Sequence, residues 1–559
     1  MTATSHVTRT SQQVTEALVA RVAVNWNGPL STVSRDIYGQ FLESNFYGNI
    51  QGGVFDPGSK YSLEGCGPSA GLRADVVKLC KELSPPLVRW PGGNFASAYH
   101  WQDGIGPREL RPARFELAWG GVETNHFGTD EFLTWCEIVG TEPYLVVNCR
   151  DLEEAVRWVE YTNYGGDTAM ARQRRENGRE QPWGVRYWGL GNEVYGPWQV
   201  GHRPATAYAQ DAAQHARFMR MLDPSIRLVA VGRLWDPEAW LEPLLSRAGP
   251  ALDYVSLHLY GASMHLLDPG EYQAVVAQAA YFEHAISDYA EAVEVSAAKV
   301  GLEHPLSLAL DEWNMRHMEP HSWPEPAPSE DGSYTRSASE LPKEQSDLSA
   351  LRVNRWSPRT LADALFTAGV IHAMHRLASH TVPPRMANLV NLVNANGVVV
   401  ARPQGALRSA LFHVLYLYSH HTGTRSLPVA YQGPAVTTAV RQGETYSAEG
   451  GFRTQTLTLP VLDVIATCDE GRHALQVAGI NRDPSRPVRA HLVIEGLRGG
   501  LPSNADLFHI GASSTDLFST NTFDHPNAVS LTATHNAPLE PDNSFVFPPH
   551  SISLLYFEV

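Results

Sequence analysis

The chain has 559 residues and a formal net charge of −16, and 43% of its residues are hydrophobic. This length exceeds one ordinary domain and predicts a large domain with a second module. The negative charge argues against a nucleic-acid partner, which needs a basic surface, and no apolar run is long enough to cross a membrane. Five scattered cysteines without a CxxC spacing, and an N-terminus without a secretory leader, lead us to expect a cytoplasmic protein.

The N-terminal two-thirds of the chain alternate between short apolar segments and amphipathic ones. Residues 1–18 are rich in Ser and Thr and are expected to be disordered. Within residues 37–420, eight strand candidates end near residues 43, 93, 148, 193, 232, 260, 312 and 391. Segments such as 129–139, 205–222 and 271–298 have helical periodicity. Strands that alternate with helices predict a parallel sheet, and eight repeats predict a (β/α)₈ TIM barrel in an α/β fold.

The C-terminal part has a different pattern. After a last predicted helix at about 405–420, residues 421–559 contain short alternating segments separated by turns, which predicts an all-β, jelly-roll-like sandwich. A strand at residues 20–24, within the segment 19–36, is expected to join that sandwich. One insertion, residues 317–358, has no periodicity and predicts a long loop directly after the strand that ends at Glu312.

Two of the predicted barrel strands end in a glutamate. The first is the segment Tyr-Trp-Gly-Leu-Gly-Asn-Glu that ends at Glu193, and the second ends at Glu312. Barrels of this type place their catalytic groups at the carboxyl ends of the strands. Two carboxylates that face each other across a pocket can cleave a glycosidic bond. The alternative is that each glutamate is a solvated loop residue.

Several segments resemble, in order and spacing, those of glycoside hydrolase family 51, the α-L-arabinofuranosidases. They lie at residues 89–94, 101–107, 124–132, 188–201 and 311–314. The resemblance covers about residues 22–395 and implies a retaining exo-hydrolase that releases terminal non-reducing α-L-arabinofuranosyl residues from oligosaccharides. It also implies a homo-oligomer, possibly a hexamer, and no cofactor.

The resemblance implies roles for the two glutamates. Glu193 would be the acid/base and Glu312 the nucleophile. We expect burial and repulsion by Glu312 to raise the pKa of Glu193, and Arg89 to hold Glu312 ionised. Arg89 could instead be a buried structural charge.

Six further residues are predicted to bind substrate at the strand ends. Asn192 would hydrogen-bond the sugar 2-hydroxyl, a contact that strengthens in the transition state. Glu43, Asn94 and Asn388 would bind other sugar hydroxyls. His258 and Tyr260 would orient the nucleophile. The alternatives are a turn-forming Asn192, a satisfied core His258, and ordinary loop residues at Glu43 and Asn94.

The sequence departs from the family pattern at two places near the expected sugar. The family usually has His-Leu-Gly after the residue corresponding to Glu43, where residues 44–49 read Ser-Asn-Phe-Tyr-Gly-Asn. It usually has Gln at the position of Asn388. We therefore expect an altered sugar subsite, and we expect Asn388→Gln to change the preference among furanosides.

Three alternatives remain open at the level of sequence. The same fold and mechanism could act on another furanoside, or as an endo-glucanase in an open groove, or the chain could be a non-catalytic sugar-binding protein. A metal site built from His317, Glu319 and His321 would lack a clear further ligand, so no metal is expected.

Overall fold

The structure is a computed structural model that describes residues 16–263, 269–320, 351–442 and 453–559. The predicted disorder of residues 1–18 falls mostly outside the described residues, and so does His321. The predicted insertion after Glu312, residues 317–358, is described in part.

The first thirteen strands include those of the barrel. They are β1 (Leu18–Asn25), β2 (Ser31–Thr32), β3 (Gly39–Phe41), β4 (Leu87–Trp90), β5 (Arg114–Phe115), β6 (Val122–Glu123), β7 (Glu142–Val147), β8 (Tyr187–Leu190), β9 (Arg227–Ala230), β10 (Tyr254–Ser263), β11 (Ser307–Pro320), β12 (Leu351–Val353) and β13 (Pro384–Leu389). Eight of them pair in parallel in the order β3, β4, β7, β8, β9, β10, β11 and β13, and β13 pairs back with β3. The predicted TIM barrel is therefore confirmed.

The helices pack around the outside of this barrel and bury a core of apolar side chains between the two layers. They are α1 (Ala74–Leu83), α2 (Thr129–Val139), α3 (Leu152–Asn163), α4 (Ala169–Glu176), α5 (Ala205–Leu222), α6 (Pro237–Arg247), α7 (Tyr272–Lys299), α8 (Leu361–Arg376) and α9 (Ala410–His421). The predicted helices 129–139 and 205–222 match α2 and α5 at both ends. Helix α8 is buried on every side except at Arg376, so its sequence has no amphipathic period that could predict it.

A sheet-rich domain follows the barrel. The hairpin β14 (Val399–Arg402) and β15 (Gly405–Arg408) comes before α9 and forms a separate two-stranded sheet. The strands after α9 are β16 (Arg425–Leu427), β17 (Val429–Gln432), β18 (Ala435–Gln442), β19 (Arg453–Pro460), β20 (Leu462–Cys468), β21 (Ala474–Asn481), β22 (Val488–Glu495), β23 (Asn504–Ala512), β24 (Val529–Pro538), β25 (Ser544–Phe547) and β26 (Ser551–Glu558). One sheet has the order β2-β16-β20-β21-β26-β23-β24, and the other has the order β17-β1-β22-β25. The N-terminal strands β1 and β2 thus belong to these two sheets, while α9 starts five residues later than predicted because residues 405–408 form β15.

The insertion after Glu312 begins and ends as a two-stranded ribbon. Strand β11 continues beyond the barrel to Pro320, and β12 returns antiparallel to it, with Met318 opposite Val353 and Glu319 opposite Arg352. The prediction of a loop from residue 317 was therefore wrong for these two arms, which pair with each other. Residues 321–350 lie outside the described residues.

Candidate active site

A pocket of about 230 Å³ lies at the carboxyl ends of the barrel strands. Its apolar lining comes from aromatic and aliphatic side chains, namely Phe41, Phe46, Trp119, Trp198 and Val390. Its polar lining includes five of the predicted site residues, Glu43, Asn94, Glu193, Tyr260 and Glu312, together with Arg316 and Arg355. Three further predicted residues, Arg89, Asn192 and His258, are buried in direct hydrogen-bond contact with that lining.

Glu312 is held at both carboxylate oxygens. Its Oε1 accepts a hydrogen bond from Arg89 Nη1 at 2.9 Å, and its Oε2 accepts one from the Tyr260 hydroxyl at 2.7 Å. Arg89 also donates from Nη2 to Asn192 Oδ1 at 2.8 Å. Burial opposes the charge of Arg89, but Asp311 and Glu312 outweigh it and raise the pKa of the guanidinium. Arg89 is therefore a buried cation that orients Glu312.

Glu193 lies directly beyond β8 in a left-handed backbone conformation, with φ 41°. Its Oε1 is 2.9 Å from His258 Nδ1, and its Oε2 accepts a hydrogen bond from Trp198 Nε1 at 2.9 Å. Burial raises the pKa of Glu193, but His258, Trp198 and Arg316 outweigh burial and lower the pKa below its ordinary value. The expectation of a raised pKa was wrong, because the sequence does not reveal that His258 and Trp198 donate to this carboxylate.

His258 lies between the two glutamates. Its Nδ1 is 2.9 Å from Glu193 Oε1 and 3.5 Å from Glu312 Oε2, and its Nε2 is 3.3 Å from Asp311 Oδ1. Burial lowers the pKa of His258, but the surrounding carboxylates raise it well above its ordinary value, with Glu312 the largest contributor. Glu193, His258 and Glu312 have the spacing of a metal site. The surrounding carboxylates favour the protonated form of His258, so the trio can hold a proton between the two glutamates.

Two consecutive carboxylates, Asp311 and Glu312, face the same interior because β11 carries one extra residue. Ser256 pairs with Ala309 and His258 pairs with Glu312, so three residues of β11 advance against two of β10. The register against β13 shifts in the same region. This is a β-bulge. Sequence reasoning missed Asp311 because in a regular strand it would point away from Glu312.

Glu43, beyond β3, is also buried. Its Oε1 accepts hydrogen bonds from the backbone N–H of Phe95 at 3.0 Å and from Trp119 Nε1 at 2.9 Å. Burial raises the pKa of Glu43 to about 8, and the charge of Glu312 adds to this effect. Gly92 makes room for this side chain, since a Cβ at residue 92 would come within 2.4 Å of Glu43 Cγ. Glu43 is therefore a neutral carboxylic acid near pH 7.

Asn94 and Gln199 connect the walls of the pocket. Asn94 Oδ1 accepts hydrogen bonds from Asn192 Nδ2 at 3.5 Å and from Gln199 Nε2. Gln199 Nε2 also lies 3.5 Å from Glu193 Oε2. Gln199 was missed as a site residue, although it lies inside the 188–201 segment that resembles the family.

The prediction that Asn388 contacts the sugar was wrong. Its side chain is fully buried, and its Nδ2 donates to the backbone carbonyl of Gln40 at 2.8 Å. Val390, two residues further along on the same side of the strand, lines the pocket instead. Asn388 therefore lies one layer deeper in the barrel, opposite Gly39.

The unusual run at residues 44–49 does reach the pocket. Phe46 lines it and packs against Trp119, with ring centroids 4.6 Å apart. Asn45 Nδ2 donates to the carbonyl of Gly120 at 2.8 Å, and Asn49 Nδ2 donates to the carbonyl of Val393 at 2.9 Å. This run and the loop that carries Trp119, between β5 and β6, form one continuous wall.

Two carboxylates at the mouth of a TIM barrel, bridged by a histidine and oriented by a buried arginine, define a glycoside hydrolase site. Residues 79–276 match the family described as "Alpha-L-arabinofuranosidase 1 domain", and residues 311–551 match "Alpha-L-arabinofuranosidase C-terminal domain".

Individual relatives agree with these matches. The chain is 34% identical over 546 residues to "Probable alpha-L-arabinofuranosidase C" of Aspergillus niger, covering 95% of each chain. It is 38% identical over 302 residues to "Intracellular exo-alpha-(1->5)-L-arabinofuranosidase 1" of Bacillus subtilis, covering 53% of this chain and 58% of that one. The structure of the GH51 α-L-arabinofuranosidase from Thermotoga petrophila superposes with a TM-score of 0.80 at 30% identity, covering 96% of this chain and 100% of that one. The chain belongs to glycoside hydrolase family 51, the α-L-arabinofuranosidases.

In the described ranges, no helix is both long and apolar enough to span a bilayer.

Proposed function

We propose that the protein is a retaining exo-α-L-arabinofuranosidase that removes terminal non-reducing arabinofuranosyl residues from oligosaccharides. Glu312 attacks the anomeric carbon and forms a covalent glycosyl-enzyme, and Glu193 protonates the leaving oxygen. Water, activated by Glu193, then hydrolyses that ester. Two inversions at the same carbon leave the configuration of the released sugar unchanged.

The separation of the two glutamates carries this proposal. One carboxylate oxygen of Glu193, one carboxylate oxygen of Glu312 and one ring nitrogen of His258 all lie within 4.8 Å of one another. Retaining enzymes hold their carboxyl groups about 5–5.5 Å apart, whereas inverting enzymes need roughly 6.5–9.5 Å to admit a water. The observed spacing supports direct attack by Glu312.

The proton for the leaving group comes from the Glu193–His258 pair. In the resting site His258 holds it, with Nδ1 at 2.9 Å from Glu193. Glu312 contributes most to keeping His258 cationic. When Glu312 becomes an ester it loses its charge, so His258 releases its proton through Glu193 just as the leaving oxygen gains negative charge. Proton transfer is thereby coupled to attack.

The shape and polarity of the pocket support exo action on a single furanosyl unit. Its volume of about 230 Å³ is below the roughly 300–1,000 Å³ of pockets that bury drug-sized ligands. The aromatic rings of Phe46 and Trp119 offer faces to the C–H groups of a sugar. Glu43 accepts hydrogen bonds at Oε1, which leaves a protonated Oε2 free to donate a hydrogen bond to a sugar hydroxyl. Asn94 and Asn192 supply further polar contacts. The exo-acting Bacillus relative supports the same reading.

A panel of nitrophenyl glycosides tests the activity. The α-L-arabinofuranoside should have the highest kcat/KM, with β-D-xylopyranoside and β-D-glucopyranoside as controls. Proton NMR of the first product should show retained configuration, and arabino-oligosaccharides should release only monosaccharide. An initially inverted product would contradict the mechanism, equal rates on another furanoside would reassign the sugar, and oligosaccharide products would support endo action.

We also propose a homo-oligomer in the cytoplasm. The hairpin β5–β6 and its flanks expose four large apolar side chains, Leu110, Phe115, Leu117 and Val122, each more than 60% accessible. The five cysteines are unpaired and the Bacillus relative is named intracellular, which favours a reducing compartment. Light scattering on the purified protein tests the assembly, with a monomeric mass contradicting it, and cell fractionation tests the compartment.

A further inference from the structure

Asp311 is the centre of a buried network directly behind the two glutamates. Only 2% of its surface is accessible, and it is not among the described residues that line the pocket. Four groups from three other barrel strands converge on its carboxylate. They are the Tyr144 hydroxyl at 2.9 Å, Ser256 Oγ at 2.5 Å, Arg89 Nε at 3.4 Å and His258 Nε2 at 3.3 Å.

The two oxygens of Asp311 contact different catalytic partners. Oδ2 faces Arg89 Nε, and the far end of that guanidinium, Nη1, donates to Glu312. Oδ1 faces His258 Nε2, and the other ring nitrogen, Nδ1, contacts Glu193. The carboxylate of Asp311 therefore contacts both Arg89 and His258 on the side away from the pocket. On their other side, Arg89 contacts the nucleophile and His258 contacts the acid/base.

We propose that Asp311 is a positioning residue for both catalytic glutamates. It fixes the orientation of Arg89 and His258, and its negative charge retains the proton of the Glu193–His258 pair until the leaving group takes it. This role rests on the proposed function of Glu193 and Glu312 and adds a residue that acts through their partners.

The charges around Asp311 agree with this role. Burial alone would raise the pKa of Asp311, but Arg89 and His258 outweigh it and lower the pKa to about 2. The groups that face this network come from five barrel elements: Arg89 on β4, Tyr144 on β7, Glu193 beyond β8, Ser256 and His258 on β10, and Glu312 on β11. Two buried cations, Arg89 and His258, are thus set against three carboxylates, and Arg316 adds a further positive charge from the pocket side of β11. Neutralising Asp311 would leave His258 with two carboxylates and a weaker hold on its proton.

Asp311→Asn is the test variant because it keeps the shape and removes the charge. We expect kcat/KM on an alkyl arabinofuranoside or arabino-oligosaccharide to fall about 10²-fold, the usual effect of a misplaced catalytic group. The alkaline limb of the pH–rate profile should move to lower pH, since the pair loses its proton sooner. A dinitrophenyl arabinofuranoside, which needs no acid, should lose less.

Asp130→Asn is the matched control. Asp130 is a buried aspartate on α2 that accepts hydrogen bonds from the Tyr161 hydroxyl, outside the pocket. This variant should keep the wild-type alkaline limb. If Asp311→Asn does not fold, Tyr144→Phe removes one hydrogen bond to Asp311 while keeping the ring, and it should shift the limb in the same direction by less.

The role of Asp311 would be overturned if folded Asp311→Asn kept the alkaline limb of the wild-type pH–rate profile and lost kcat/KM equally on the alkyl and dinitrophenyl substrates. Such a result would leave the proposed function intact as long as Glu312→Ala loses turnover without azide and Glu193→Ala slows selectively on substrates with poor leaving groups. Normal turnover of Glu312→Ala, or equal losses of Glu193→Ala on both kinds of substrate, would instead overturn the assignment of the glutamates themselves.

Discussion

The two walls of the pocket carry buried carboxyl groups with opposite behaviour. On the side of β4, β10 and β11, Arg89 and His258 lower the pKa of Asp311 to about 2. On the side of β3, burial raises the pKa of Glu43 to about 8, where two neutral N–H donors are its direct partners. Both groups are buried, so burial alone does not decide their charge; the presence of buried cations does. The first wall carries the charges of the reaction. The second combines Glu43 with the aromatic rings of Phe46 and Trp119, over which Arg355 lies, and is suited to recognising the sugar.

The same contrast gives opposite effects of pH on stability. Glu43 keeps a proton in the folded state that the unfolded chain releases above pH 4.5, so its contribution to stability falls as pH rises from there to about 8. Asp311 has a folded pKa below its unfolded value of 3.8, so its stabilisation is present above that pH and is lost as pH falls toward about 2.

The largest expected effect is at the nucleophile on the charged wall. Glu312→Ala should lose at least about 10⁴-fold in kcat, because no glycosyl-enzyme can form. Added azide should restore part of the turnover and give a glycosyl azide of inverted configuration. Glu319→Gln on the same strand is the control, since Glu319 pairs with Arg352 outside the pocket lining. Normal turnover of Glu312→Ala would remove it from the mechanism.

Glu193→Ala should show the next largest effect, and a selective one. Oligosaccharides and alkyl glycosides should slow by about 10³-fold, within the usual range for losing a general acid. Dinitrophenyl substrates should slow much less, since their leaving group needs no proton. The alkaline limb of the rate profile should also flatten. Equal losses on both kinds of substrate would mean that Glu193 acts structurally.

Phe46→Ala probes the wall on the side of β3, where the sequence departs from the family. Removing the ring that packs on Trp119 should change the ratio of kcat/KM between α-L-arabinofuranosides and other furanosides by about tenfold, a typical value for lost apolar contact. Matched nitrophenyl furanosides measure the ratio. A ratio within error of wild type would show that this wall does not select the sugar.

Glu43→Gln sharpens the contrast between the walls through stability. The amide keeps a neutral donor and removes the titration, so the melting temperature of the variant relative to wild type should rise between pH 5 and pH 8. Thermal melts at several pH values decide this. Parallel curves for variant and wild type would mean that Glu43 is ionised like an ordinary surface carboxyl.

Asn388→Gln should have the smallest effect on selectivity. Asn388 lies one layer beneath the pocket, so the added methylene should overpack the barrel and lower stability by about 1–3 kcal/mol. The preference among furanosides should stay as in wild type, unlike that of Phe46→Ala. A changed preference with unchanged stability would return Asn388 to the sugar.

The sequence predicts the barrel well because its strands are apolar, end in functional residues and alternate with amphipathic helices. Helix α8 escapes prediction because it is buried on all sides except at Arg376, so its sequence has no amphipathic period. Of the nine predicted site residues, eight lie in or against the pocket, since each lies in a barrel strand or shortly after one. The prediction for Asn388 failed because the sequence does not show how deep in the barrel a strand residue lies. Val390, two residues further along, lines the pocket instead. Asp311 and the lowered pKa of Glu193 could not be predicted because both depend on contacts between distant strands.

The extra residue in β11 also decides how everything after it is oriented. Up to Asp311, odd-numbered residues face inward, as Ala309 does among the interior side chains, while Leu310 packs toward the helices. From Glu312 onward the parity is reversed: Trp313 packs toward the helices, and Arg316 lies over the ring of Tyr260. Deleting a single residue there would rotate both Glu312 and Arg316 out of the pocket. The same one-residue bulge thus sets the direction of the side chains both in the active-site wall and in the ribbon beyond it. If the strand were made regular, both sets of side chains would point to the opposite face.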